Sequence, residues 1–102
     1  MSRKIKKVAV LGSGIMGSGI ACHFANIGLE VLMLDIVPFD LKEDEKTQPA
    51  ARNQTVNKAL KAAIKAKPAA LYDKSFASRI TTGNFDDDFE KIKDCDWVIE
   101  VV

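Results

Sequence analysis

The sequence predicts an α/β fold built on a parallel β-sheet. Three observations lead there. Strand-like and helix-like patterns alternate along the chain. The segment Gly12-Ser13-Gly14-Ile15-Met16-Gly17-Ser18-Gly19 lies between a strand pattern and a helix pattern. The closing run Trp97-Val98-Ile99-Glu100-Val101-Val102 is almost continuously apolar, as expected of a buried parallel strand.

Each element follows from its residues. Ile5-Lys6-Lys7-Val8-Ala9-Val10-Leu11 is a short apolar strand pattern. Ile20-Ala21-Cys22-His23-Phe24-Ala25-Asn26-Ile27-Gly28 has the pattern of a helix closed by glycine. A second strand, Glu30 to Leu34, stops at Asp35. The stretch from Ile36 to Pro49 is polar, contains Pro38 and carries the acids Asp40, Glu43, Asp44 and Glu45, so a loop is expected. A helix is expected from about Ala50 to Ala66. Val56, Ala59, Leu60, Ala63 and Ile64 share one face of it, and Lys58, Lys61 and Lys65 the opposite face. Pro68 breaks that pattern and opens a second helix, with Ala69, Tyr72 and Phe76 as its apolar stripe.

Arg79-Ile80-Thr81-Thr82 is β-prone and gives a third strand, closed by Gly83-Asn84. Asp86, Asp87 and Asp88 suit the first turn of a short helix, where carboxylates meet the positive end of the dipole. Phe85, Phe89 and Ile92 make that helix's apolar side. Right-handed crossovers then place the strands in the order 3-2-1-4. The expected architecture is a Rossmann-type parallel sheet with a helical pair inserted between strands two and three. It amounts to an incomplete doubly wound domain.

A glycine-rich turn in this setting carries chemistry. Gly12 permits the tight turn off the strand, Gly14 lets the backbone approach a pyrophosphate, and Gly17 lets the helix pack on the strand. The amides of Ile15 and Met16 then face the phosphates, and the helix dipole favours the negative charge. Ser13 offers a hydroxyl contact or serves as a turn residue. Gly19 is expected to serve close packing rather than ligand contact. Asp35 ends the second strand where a ribose diol would lie, and its carboxylate would repel a 2′-phosphate. No arginine follows before Arg52, so NAD is favoured over NADP.

Composition narrows the class. The chain has 102 residues, one small domain's worth, with Lys and Arg totalling 15 and Asp and Glu 14. No basic excess points to nucleic acid or to an anionic membrane. No apolar run is long enough to span a bilayer, and no secretory apolar core precedes the first strand. Cys22 and Cys95 lack metal-ligand spacing and are expected to be free thiols of a cytoplasmic protein.

Val8 to Ala21, with its glycines, resembles the start of the 3-hydroxyacyl-CoA dehydrogenase family of fatty-acid β-oxidation. So do the inserted helical pair and the run Asp96-Trp97-Val98-Ile99-Glu100-Val101-Val102. That family oxidises the 3-hydroxyl of an acyl-CoA to a ketone and passes hydride to NAD. The resemblance implies that Gly12, Gly14 and Gly17 form the phosphate turn and that Asp35 holds the adenosine ribose. It also points to Lys58, Lys61 and Lys65 as contacts for the CoA phosphates, against the plain reading of a solvated face. The family's catalytic His and Glu, aided by Ser and Asn, come after the fourth strand. His23 does not match that base and receives no role. Glu100 matches a strand-borne Glu of the family, and Val101 stands where many relatives carry Ala.

On this reading residues 1–102 are the N-terminal part of an NAD-binding domain, inactive alone. The rest of that domain and a C-terminal catalytic and dimerisation domain would be absent. The expected partner of the whole protein is an acyl-CoA, and the fourth strand's apolar edge is expected to drive self-association. Two alternatives are an NAD-dependent 3-hydroxyisobutyrate-like dehydrogenase and a non-catalytic nucleotide-binding module. The long helical insertion argues against the former.

Overall fold

The computed structural model describes residues 5–38, 41–65 and 71–101. Its parallel sheet has the order β3-β2-β1-β4, as the sequence predicts. The strands are β1 (Lys7–Leu11), β2 (Glu30–Asp35), β3 (Ile80–Asn84) and β4 (Trp97–Glu100). Register brings Leu11 beside Leu34 and Glu100, and Asp35 beside Asn84. All four carboxyl ends therefore share one edge of the sheet, the edge at which open α/β sheets bind ligands.

Side chains alternate between the two faces with the period of an extended strand. Val8, Val10, Val31, Met33 and Ile80 point to one face and meet Ala21, Cys22 and Ala25 of α1 (Ile15–Asn26). Those three small residues let the helix lie close to the sheet. Val56 of α3 (Gln54–Lys65) completes this side, with Leu60, Ala63 and Ile64 packed against it. Leu11, Leu32 and Leu34 point the other way, to Phe85, Ile92 and Cys95. Phe85 opens the single-turn helix α4 (Phe85–Asp88), which a 3₁₀ helix, Phe89–Asp94, extends.

The fold departs from the sequence expectations in seven places. Helix α1 begins at Ile15, five residues before the expected start, so the glycine segment itself runs into the helix. The long helix is split: α2 (Pro49–Arg52) and α3 meet at Asn53, which caps α2. The second helix of the inserted pair is a 3₁₀ helix, Lys74–Arg79, started by Asp73, whose side chain accepts from the Ser75 amide. Phe76 does pack on the core, but Tyr72 is 81% exposed, because its amide is held out by the Asn26 side chain. Asp40, Ala66, Pro68, Ala69 and Val102 lie outside the described residues.

Strand β3 continues through Gly83 and Asn84 instead of ending at Thr82, since both pair with β2. Phe89 is half-exposed and meets Phe85 edge-on, so it adds little to the core. Strand β4 is not buried. Trp97 is 47% exposed and meets Phe24 edge-on, because β4 lies at the rim of the described sheet with β1 as its neighbour.

Two glycines of α1 separate packing from openness. A Cβ on Gly17 would sit 2.0 Å from the Gly12 carbonyl oxygen, whereas one on Gly19 would meet nothing within 4 Å. Gly17→Ala is therefore expected to lose about 1–3 kcal/mol in urea denaturation. Gly19→Ala should gain about 0.5–1 kcal/mol from helix propensity. Equal effects of the two would contradict this packing.

Candidate functional site

The site begins where β1 ends. Gly12 has φ 110°, in the left-handed region that glycine enters freely, and its amide donates to the Leu34 carbonyl at 2.8 Å. The chain thus turns sharply off the sheet while staying tied to β2. Gly17 then lies against the Gly12 carbonyl, which fixes the start of α1 over the end of β1.

The mouth of α1 is open. Ser18 donates from its amide to the Gly14 carbonyl at 2.8 Å, the first bond of the helical ladder. The Ile15 and Met16 amides precede that bond and have no helical acceptor. No side chain caps the helix, and its first turn holds no acid to compete with an incoming anion. A Cβ on Gly14 would meet nothing within 4 Å, so the approach is clear. Ile15 is 97% exposed, and Met16 is exposed beside it. These are the features that suit a pyrophosphate: bare amides, the positive dipole end and a backbone without obstruction.

Asp35 sits at that mouth. Its Oδ2 accepts from the Ser13 amide at 2.9 Å and from the Ser13 hydroxyl, and its Oδ1 accepts from the Ile36 amide at 2.7 Å. The carboxylate at the tip of β2 is therefore fastened to the glycine bend of β1. The Ser13 hydroxyl, open in the sequence to a ligand contact, is spent on this carboxylate, and the side chain is buried. Gly12, Ser13, Gly14, Ile15, Met16, Gly17 and Asp35 thus lie together where β1, α1 and the end of β2 meet.

Beside the mouth lies a cleft of about 480 Å³ between α1 and α3. Ser13, Gly14, Ser18 and Gly19 form one wall, and Ala59, Ala62 and Ala63 the other. Gly19 thus faces the cleft and is not closely packed: a Cβ on it would meet nothing within 4 Å. Lys58, Lys61 and Lys65 are exposed and do not line this cleft, whose α3 wall is alanine. Lys58 instead edges a smaller hollow with Pro38, Gln54 and Thr55. His23 is exposed on α1, edge-on to Phe24. Glu100 is exposed at the end of β4, beside Leu11. Burial pushes the Cys22 and Cys95 thiols up, away from reactivity. Among the described residues no group of three His, Cys, Asp or Glu could hold a metal, and no helix is long and apolar enough to cross a membrane.

One network next to the site was not foreseen. Asn84, fully buried beside Asp35, donates to Asn53 Oδ1 at 2.7 Å and to Asp87 Oδ2 at 3.0 Å. Its own Oδ1 accepts from the Asp87 amide at 2.7 Å, so it caps α4. Arg52 grips Asp87 with two donors, Nε at 2.8 Å and Nη2 at 3.0 Å, and gives Nη1 to the Lys46 carbonyl. The guanidinium is thus committed to Asp87 and the loop after β2. A cap signal was present in the sequence, an Asn three residues before an Asp. The Arg52 partnership spans 35 positions and left no local mark.

A model of the family described as "3-hydroxyacyl-CoA dehydrogenase, NAD binding domain" matches residues 7–102. A Bacillus subtilis (strain 168) protein named "Probable 3-hydroxyacyl-CoA dehydrogenase" is 51% identical over 108 residues, which take in 100% of the chain and 14% of that protein. The Arabidopsis thaliana peroxisomal fatty acid beta-oxidation multifunctional protein is 33% identical over 98% of the chain and 12% of its own length. The crystal structure of (S)-3-hydroxybutyryl-CoA dehydrogenase from Ralstonia eutropha superposes with TM-score 0.58 and 31% identity, covering 97% of the chain and 31% of that structure. The chain therefore spans 14% and 12% of the two curated relatives.

The Arg52–Asp87 grip has a pH signature. Arg52 first, and Asn84 second, hold the Asp87 carboxyl below the usual carboxylate range. A depressed folded-state value means that this stabilisation is complete above the unfolded value of about 3.9 and is lost as pH falls through the folded one. Asp87→Asn should therefore lower the urea midpoint at pH 7, and the deficit should shrink as pH drops below about 4. A deficit that grows on acidification would contradict the grip.

Proposed function

The chain belongs to the 3-hydroxyacyl-CoA dehydrogenase family as its NAD-binding domain, and on that premise we propose how these residues hold the cofactor. The Ile15 and Met16 amides, presented by Gly12, Gly14 and Gly17, take the pyrophosphate. Asp35 takes the adenosine ribose. The observation that carries this is the Asp35 carboxylate fastened to the glycine bend, 2.9 Å from the Ser13 amide. That contact supports a single site for diphosphate and sugar.

The cofactor supplies the nicotinamide ring that accepts a hydride. This chain's residues bind it and orient it. Asp35 also selects: its carboxylate accepts a hydrogen bond from a ribose hydroxyl and repels a 2′-phosphate. Arg52, bound to Asp87, offers no counter-charge for such a phosphate, which supports NAD over NADP. The whole protein's reaction, in this proposal, is oxidation of (3S)-3-hydroxyacyl-CoA to 3-oxoacyl-CoA in fatty-acid β-oxidation. Lys58, Lys61 and Lys65, exposed on one face of α3, are available to the phosphates of CoA.

Two further parts of the proposal concern context. The half-exposed Trp97 and Val98 on β4 support homo-oligomers through that strand. A cytoplasmic location agrees with the free thiols Cys22 and Cys95.

Calorimetric titration tests the cofactor site. NAD should bind the folded chain more tightly than NADP, and Asp35→Asn should weaken NAD by at least about tenfold, the loss of one hydrogen bond to a charged acceptor. Absence of both heat and chemical-shift change, with the chain folded, would refute the site. Light scattering at high concentration tests the β4 contact: dimers or larger species are expected, and a clean monomer would count against it.

A further inference from the structure

We propose that Ser13 is a positioning residue that sets the cofactor preference of Asp35. The inference rests on Asp35 being the ribose ligand. Ser13 is 2% exposed, and both its amide and its hydroxyl donate to the same oxygen, Oδ2 of Asp35. The Ile36 amide holds the other oxygen at 2.7 Å. An ionised carboxylate offers about four acceptor positions. Three are filled here, so the group is aimed before any ligand arrives, and one position on Oδ1 remains for a sugar hydroxyl.

Two consequences follow from a carboxylate that cannot turn. A ribose diol meets an acceptor already oriented, which removes the ordering cost of binding. A 2′-phosphate meets an anion that cannot swing aside, so repulsion is felt in full. Any residue at position 13 would supply the amide donor, but the hydroxyl is specific to this side chain. Removing it leaves Oδ2 with one donor and lets the carboxylate rotate off the bend. Ser13 lacks a positive φ, so replacing it introduces no backbone strain. Its effect therefore runs through Asp35.

The test is a cycle on the full 102-residue chain, titrated with NAD and with NADP. Ser13→Ala should weaken NAD about tenfold and NADP much less, so that the preference ratio falls. Ser13→Thr, which keeps a hydroxyl, should restore the ratio. In the Asp35→Asn background, Ser13→Ala should change nothing further. Equal losses for NAD and NADP, or a Ser13→Ala effect that adds in full to that of Asp35→Asn, would overturn the proposal. If the unsubstituted chain binds neither cofactor, the ribose reading itself fails, and a ligand-free measurement decides the positioning role. NMR side-chain couplings of Asp35 should then report one rotamer in the unsubstituted chain and in Ser13→Thr, and averaging in Ser13→Ala. A single Asp35 rotamer in Ser13→Ala would overturn it.

Discussion

The contact between Gly17 and the Gly12 carbonyl is the constraint on which the rest depends. No side chain fits between them, since even a Cβ on Gly17 would lie 2.0 Å from that oxygen. The start of α1 is therefore seated directly over the end of β1. That placement leaves the first amides of the helix without acceptors at the carboxyl edge of the sheet. It also holds the bend close enough to β2 for the Gly12 amide to reach the Leu34 carbonyl. A larger residue at position 17 would lift the helix and lose both features at once.

Charge is placed around that seat by tethers. Asp35 is drawn to the bend by Ser13 and held from behind by the Ile36 amide. Its register neighbour Asn84 is fully buried, and it carries the load from β3 to α4 and to Asn53. Arg52 closes the circuit from Asp87 to the loop that leaves β2. Arg52's positive charge is thereby neutralised in place by Asp87. Among the described residues, Asp35 places a carboxylate at the bend, and α1 opens beside it with no side-chain cap and no acid in its first turn. That pattern matches a diphosphate joined to an unphosphorylated ribose.

The strand order and the glycine–aspartate pairing were legible because both are written locally. Val8 to Leu11 and Val31 to Leu34 are continuous apolar runs, and the glycines and Asp35 stand at fixed offsets from them. Other features depend on distant partners. Asn53, where the helix breaks, accepts from Asn84, thirty-one positions away. Strand β3 extends over Gly83 and Asn84 because β2 supplies the ladder, though glycine reads as a terminator. Tyr72 is drawn outward by Asn26, against its apolar spacing with Phe76. For Trp97 and Val98 apolarity predicted burial, but exposure depends on what covers a strand, and in the described sheet β4 pairs with β1 on one side. The family resemblance, carried by the same glycines and by the Asp96 to Val102 run, agrees with the match over residues 7–102.

The central claim is that amides at the mouth of α1 and the carboxylate of Asp35 act on one ligand together. Amide chemical-shift mapping of the isotope-labelled chain during NAD addition reads this most directly. The account predicts that the Ser13, Ile15, Met16 and Ile36 amides move together along one saturation curve, while those of α4 stay still. Shifts confined to α3 or β4, with the glycine bend unmoved, would contradict it.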